Sequence, residues 1–182
     1  MNGLGTKKLE TERLILRKFE VSDASDMYNN WAGDPLVSEF LTWPYHTDIE
    51  VTKKILAIWE KKYSDKFYMN WAIVEKSTNN VIGSIGVVDF KESVKSAEIG
   101  YALSRMYWGR GIMPEALKRV MDFLFDDVGF NRVAACHDTD NPKSGRVMEK
   151  VGMIREGVLR QSRVNNRGIT DVMWYSTIRS DR

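Results

Sequence analysis

The chain has 182 residues, 43% of them hydrophobic, and its 27 basic and 25 acidic side chains give a formal net charge of +2. This size predicts one well-buried domain over 1–182, with a flexible N-terminus over 1–9. The near-neutral charge gives no electrostatic case for a nucleic-acid or membrane partner. Two histidines and one cysteine do not form a metal cluster, and a lone cysteine excludes an internal disulfide. Without a long apolar run or a signal-peptide core, we expect a cytoplasmic protein.

The first predicted elements are a strand and two helices. Residues 12–19 alternate apolar and polar side chains, as strands do, and Ser22 and Asp23 follow as candidate caps of a helix. Residues 48–64 have helical periodicity, with Asp48 as the predicted cap. The face predicted to be buried carries Val51, Ile55, Ile58 and Trp59.

Three strand-like segments come next, over 67–76, 81–90 and 96–104, joined by short polar breaks. Breaks of this length suit hairpin connections between neighbouring antiparallel strands. The middle of the chain is therefore predicted to form an antiparallel meander.

The last third of the chain alternates helices and strands. A helix at about 111–127, a strand over 131–138 and a helix over 141–152 imply one parallel strand pair, because a helical crossover joins the strands. Two further strands turn at 165–168. We therefore predict an α+β (mixed α/β) fold with one mixed sheet flanked by helices.

The stretch "SRMYWGRGIMPEALKRVMDFLF" (104–125) places Gly109 and Gly111 where an amphipathic helix begins. A helix start exposes unpaired N–H groups and positive potential, so glycines there favour an anion site such as one for phosphate. A tight turn before the helix is the alternative interpretation. The segment lacks the third glycine of a dinucleotide fingerprint, and no G-x-x-x-x-G-K-[ST] occurs in the chain.

Four segments in this order resemble the GNAT superfamily of acetyl-CoA-dependent N-acetyltransferases, from Glu10 to about Thr177. They are "ETERLILRKF", "AEIGYALS", "YWGRGIMPEAL" and "NPKSGRVMEKVGMIREG". Within that family they are similar to the branch that acetylates protein N-termini, including those of ribosomal proteins. The resemblance implies direct attack of a neutral amine on the thioester, through a tetrahedral intermediate.

The resemblance also implies a set of cofactor-binding residues. The glycine loop would bind the coenzyme A pyrophosphate, and the end of the preceding strand would pair with the pantetheine amides. Asn141 and Ser144 match an Asn-x-x-Ser motif in which the asparagine binds the pantetheine arm and the serine lies near the sulfur; helix capping is the alternative for both. The remaining cofactor-binding residues implied are Ala102, Leu103, Ser104, Trp108, Gly109, Arg110, Gly111, Ile112 and Met113.

Two residues are implied as catalytic. Glu98 resembles the strand glutamate that acts as general base in many family members; a solvent-facing carboxylate is the alternative. Met148 stands where some members have a tyrosine acid, which leaves Ser144 or solvent to protonate the thiolate, and Ser144 is the predicted donor. Where the ribosomal-protein branch carries a carboxylate near the amine, this chain has Arg163.

The acceptor is the least specified partner. The segment 40–46 is predicted to contact it, with Trp43 and Tyr45 as candidate substrate-binding residues. A peptide N-terminus is favoured over a polyamine or an aminoglycoside. A non-catalytic acyl-CoA-binding domain and a protein-interaction module are the other function classes, and homodimer formation is left open. Release of free thiol that depends on the coenzyme and occurs with an amine would distinguish an enzyme from the binding domain and from the interaction module.

Overall fold

A computed structural model describes all residues, 1–182, and its centre is one eight-stranded sheet in the order β1-β2-β3-β4-β5-β6-β8-β7. Neighbouring strands are antiparallel except β5 and β6, which are parallel. Both the predicted meander, now β3-β4-β5, and the predicted parallel pair are confirmed. The strands are β1 (Leu9–Glu10), β2 (Leu14–Arg17), β3 (Asn70–Glu75), β4 (Val81–Lys91), β5 (Ser96–Leu103), β6 (Arg132–Asp138), β7 (Ile154–Asn165) and β8 (Gly168–Ile178).

Five helices cover the two faces of the sheet. Asp48 caps the longest helix as predicted, because its Oδ1 accepts hydrogen bonds from the amides of Glu50 (2.8 Å) and Val51 (3.1 Å). The helices are α1 (Ala24–Met27, continued by a π turn over Tyr28–Ala32), α2 (Pro35–Ser38), α3 (Ile49–Lys62), α4 (Ile112–Phe123, continued by a π turn over Leu124–Val128) and α5 (Pro142–Lys150). None of them is long and apolar enough to cross a membrane.

Alternate residues of each central strand enter two separate cores, since successive side chains of a strand point to opposite faces. Trp71 and Ile73 of β3 join the larger core, which α4 and α5 cover. Ala72 and Val74 join the smaller core, beneath α1 and α3. The two faces of the sheet are thus covered by different helices.

Two expectations differ from the structure. The buried face of α3 is centred on Thr52 and Leu56, whereas Ile58 is exposed, because the helix packs against α1 through a stripe about one residue away from its most apolar one. The N-terminus predicted to be flexible is packed: the Asn2 amide donates to Val128, the Gly5 amide donates to Lys66, and Leu9 is buried in β1. These partners lie far along the chain, so no local pattern indicates them.

Candidate active site

A cleft opens between β5 and β6. Their parallel pairing ends at Glu98 and Ala134, although β5 continues to Leu103 and β6 to Asp138. Beyond Glu98 the inner edge of β5 has no neighbouring strand. Such an edge offers unpaired backbone groups to an extended ligand.

The backbone groups of the predicted residues at the end of β5 point in alternate directions. The Ala102 carbonyl lies against Gly83 of β4, and the Ser104 amide donates to the Ile82 carbonyl over 2.9 Å. Leu103, between them, therefore faces the cleft. Its carbonyl accepts a hydrogen bond of 2.9 Å from the indole Nε1 of Trp108, which leaves the Leu103 amide as the group open to a ligand.

The glycine loop reaches α4 through two left-handed residues. Gly109 has φ +78° and Gly111 has φ +75°, values that favour glycine. The N–H groups of Gly109, Gly111, Ile112 and Met113 find no acceptor within the protein. These amides at the start of a helix form the expected setting for an anion.

Arg13 and Glu115 hold the loop in place. The Arg13 guanidinium donates to the Arg110 carbonyl (3.0 Å) and to Glu115 Oε2 (2.7 Å), and the Thr11 hydroxyl donates to Glu115 Oε1 (2.5 Å). Burial acts to raise the pKa of Glu115, but these hydrogen bonds outweigh it and lower that pKa. The Arg110 side chain itself lies over the Tyr107 ring, 5.3 Å from its centroid.

On the α5 side of the cleft, Tyr101 contacts Ser144. The Tyr101 hydroxyl lies 2.9 Å from Ser144 Oγ and 3.1 Å from the Ser144 carbonyl. Burial raises the pKa of Tyr101, so the phenol stays protonated. Asn141 precedes the helix, and its side chain makes no capping hydrogen bond. The amide of Asn141 and the hydroxyl of Ser144 are therefore not used as helix caps.

Glu98 lies where β5 and β6 separate, with one partner on each carboxylate oxygen. Its Oε2 accepts a hydrogen bond of 2.7 Å from Arg163 of β7, and its Oε1 lies 3.8 Å from the Cys136 thiol. The Arg163 guanidinium also stacks over the Trp174 ring, 5.4 Å from its centroid. Burial, and then the charge of Glu98, raise the pKa of Cys136 to about 11, so the thiol is neutral.

Comparison with known proteins agrees with this geometry. The model of the acetyltransferase (GNAT) domain matches residues 13–154. The chain belongs to the GNAT family.

Two relatives and one solved structure show how close the similarity is. The uncharacterized N-acetyltransferase YoaA of Bacillus subtilis is 31% identical over 94% of this chain and 96% of its own length. The ribosomal-protein-serine acetyltransferase of Escherichia coli is 27% identical over 78% of this chain and 79% of its own length. The acetyltransferase MccE, solved with acetyl-CoA and AMP, superposes with a TM-score of 0.82 at 20% identity, covering 92% and 93% of the two chains.

The protein is therefore an acetyl-CoA-dependent N-acetyltransferase with the GNAT fold. The residues present in the cleft fit acetyl-CoA: unpaired amides start α4, the edge of β5 is open, and the Asn141 and Ser144 side chains are not used as caps. In the described chain no three His, Cys, Asp or Glu side chains come together as metal ligands.

The predicted acceptor segment of this GNAT domain is tied to the β7–β8 turn. Asn166 Nδ2 donates to the carbonyls of Ser38 (2.7 Å) and Trp43 (2.8 Å), and its backbone amide donates to the Leu41 carbonyl (3.2 Å). Trp43 packs against the smaller core, whereas Tyr45 is 47% exposed. The structure thus brings the Trp43 segment beside the β7–β8 hairpin.

On the Glu98 face of the sheet, a groove of about 330 Å³ lies between the β4–β5 hairpin and the strands β6, β7 and β8. Its charged lining residues are Asp89, Lys91, Glu98, Arg132 and Arg163.

Three of these contacts are not predicted by the sequence. Tyr101 belongs to the "AEIGYALS" segment, which the resemblance places at the cofactor cleft, so the sequence indicates its position but not its contact with Ser144. The sequence predicts a turn at Asn166 but no contact with Ser38 or Trp43, and it gives no signal for the contact between the Trp108 indole and the Leu103 carbonyl. All three depend on distances that only the folded chain defines.

Proposed function

We propose that this acetyltransferase transfers the acetyl group to the α-amine of a peptide or protein N-terminus, by direct attack within a ternary complex. The observation that carries the proposal is the placement of Glu98 at the opening of the strands. Its Oε1 has only a neutral thiol near it, at 3.8 Å, and Glu98 lines a groove of about 330 Å³. Similarity to a ribosomal-protein-serine acetyltransferase supports this acceptor class.

The chemistry of the α-amine suits a modest base. An α-amine with a pKa of about 8 costs about 1 kcal/mol to deprotonate at pH 7, whereas a lysine near 10.4 costs about 4 to 5 kcal/mol. In the proposed mechanism Glu98 Oε1 takes one proton from the ammonium, directly or through water. The neutral nitrogen then forms the new bond to the acetyl carbon.

The leaving sulfur needs a proton as its bond to the acetyl carbon breaks. We assign Ser144 Oγ as the donor and Tyr101 as the group that returns a proton to Ser144 across their 2.9 Å contact. The attacking nitrogen gives its second proton to solvent as the intermediate collapses, and solvent reprotonates Tyr101, so the ammonium loses two protons and the sulfur gains one. Tyr101 lies three positions after Glu98 along β5, and an odd offset places the two side chains on opposite faces of the strand. The base and the acid then act from opposite faces of the sheet, with the thioester between them in the opening between β5 and β6.

An acceptor screen tests the proposal. The wild-type enzyme with acetyl-CoA should release thiol with peptides that have a free N-terminus, and mass spectrometry should place the acetyl group on the α-nitrogen. The same peptides with a blocked N-terminus and one internal lysine are the control. Preference for polyamines or aminoglycosides would assign the site to small amines, and coenzyme binding without turnover on any amine would indicate a regulatory domain. We place the reaction in the cytoplasm, where ribosomal proteins assemble.

A further inference from the structure

The two oxygens of the Glu98 carboxylate differ in what they can still accept. Oε2 receives a charge-assisted hydrogen bond of 2.7 Å from Arg163. Oε1 has only the weak thiol donor of Cys136, at 3.8 Å. An incoming ammonium or its bridging water therefore binds at Oε1, while Arg163 keeps Oε2.

Arg163 has donors left over after this contact. A guanidinium carries five N–H donors, and Nη2 to Glu98 is the one side-chain hydrogen bond that Arg163 makes in the protein. Its side chain is 44% exposed, and the ion pair with Glu98 together with the Trp174 ring, whose centroid lies 5.4 Å from Cζ, restrains the guanidinium. A fixed, planar, partly exposed guanidinium is the protein group best suited to bind a carboxylate through two N–H donors.

The charges in the groove do not balance once an amine arrives. Arg132 is already committed to Glu156, with both Nη atoms 2.5 Å from its carboxylate oxygens. Asp89 and Lys91 of the lining carry opposite charges and offset each other, so Glu98 is left to face both the acceptor ammonium and Arg163. Two cations sharing one carboxylate leave a net positive charge in a partly desolvated groove, which weakens binding unless the acceptor itself supplies an anion.

We infer that the acceptor carries a carboxylate beside its amine, and that Arg163 binds this carboxylate while Glu98 Oε1 binds the ammonium. This inference rests on the proposed acetyl transfer at Glu98 and specifies its substrate class. The carboxylate has two sources: an acidic side chain at the second residue of a peptide N-terminus, or the α-carboxylate of a free amino acid. Arg163 is then a specificity residue of the acceptor site.

Matched acceptors test the inference. The panel consists of peptides that begin Ser-Asp, Ser-Asn and Ser-Lys with identical remainders, together with serine and serinamide. We expect kcat/KM to be about 10- to 100-fold higher for the acidic member than for its amide, the range for a hydrogen bond between charged groups. A preference within the peptides points to the side-chain carboxylate, and one within serine and serinamide to the α-carboxylate.

Variants at Arg163 separate recognition from support of Glu98. Arg163→Gln should bring the ratio of kcat/KM for the Ser-Asp peptide to that for the Ser-Asn peptide to about one. Arg163→Lys should keep part of the preference for Ser-Asp, and Arg163→Glu should favour the Ser-Lys peptide instead. Arg160→Gln, on the same bulged strand and without an ion pair, is the control and should leave the ratio unchanged. Thermal unfolding and coenzyme affinity of each variant verify that the fold is intact.

The outcomes are distinguishable. Equal turnover of acidic and amide acceptors by the wild type, or an equal loss on both in Arg163→Gln, would overturn the inference and leave Arg163 as a support for Glu98. Coenzyme binding with no turnover of any peptide or amino acid would overturn the proposed transfer itself, and the inference with it.

Discussion

The Tyr101 hydroxyl lies 2.9 Å from Ser144 Oγ, so a hydrogen bond joins β5 to α5 across the cofactor cleft. Tyr101 leaves β5 beyond the last residue that pairs with β6, and Ser144 lies in the first turn of α5. This contact places a protonated phenol behind the serine that the sequence predicts as the proton donor. The first prediction tests that arrangement.

Tyr101→Phe and Ser144→Ala should each lower kcat more than coenzyme affinity, because a proton donor matters mainly as the sulfur leaves. The double variant should lose less than the product of the single losses, since the two groups act in one relay. Tyr175→Phe, whose hydroxyl contacts Glu149 of the same helix, is the matched control. A weaker coenzyme affinity with kcat intact would assign Tyr101 and Ser144 to helix positioning.

The second prediction concerns the glycine loop. Coenzyme A at about 100 times its dissociation constant should stabilise the wild type by about 2.7 kcal/mol. Gly111→Val should reduce this, because a β-branched residue is strained at φ +75° and its side chain covers the free amides. Gly129→Ala, at φ +91° after the π turn that follows α4, carries similar strain away from the loop and should keep coenzyme affinity. Unchanged affinity in Gly111→Val would remove the pyrophosphate assignment.

The third prediction concerns Glu98. If Glu98 removes the proton from the ammonium, Glu98→Gln should lower kcat/KM by about 10²- to 10⁴-fold at neutral pH. The deficit should shrink as pH rises, because more of the acceptor arrives as the neutral amine. Measuring both enzymes from pH 6 to about 10 with an α-amine of pKa about 8 tests this. A deficit independent of pH would mean that Glu98 positions the acceptor and is not its base.

The fourth prediction follows from the raised pKa of Cys136, which burial moves from 9.0 to about 11. Between these values the unfolded chain has released the thiol proton and the folded chain still holds it. The folded state then binds more protons, so the free energy of unfolding should fall as pH rises through this window. In urea unfolding from pH 8 to about 10.5, the free energy of unfolding of Cys136→Ser should fall less steeply with pH than that of the wild type, because the variant has no thiol to titrate. Parallel curves for the two proteins would show that Cys136 does not contribute.

The fifth prediction concerns the acceptor segment. Asn166→Ala removes the side-chain amide that donates to the Ser38 and Trp43 carbonyls. Each lost bond is worth about 0.5 to 1.5 kcal/mol, so the segment should loosen and KM for the acceptor should rise, with coenzyme affinity unchanged. Asn29→Ala, an exposed amide on the π turn after α1, is the control. An unchanged KM would place the acceptor away from Trp43.

The sequence by itself determined most of the element order. Period-2 and helical patterns located the meander, the helix after the glycine loop and the final hairpin, and Asp48 was identified as a cap. These features depend on residues a few positions apart, whose periodicity and capping chemistry are local. The glycines at 109 and 111 likewise indicated where α4 begins.

Only the tertiary structure decided which side chains meet. Arg163 reaches Glu98 from a strand 65 residues further on, and it does so after a bulge in β7 between Leu159 and Arg163. Tyr101 and Ser144 are 43 residues apart. Strand register, bulges and the separation of β5 from β6 set these distances, and each depends on the packing of the whole sheet. The sequence could therefore name Glu98 and Ser144 as candidates, whereas their partners followed from the fold.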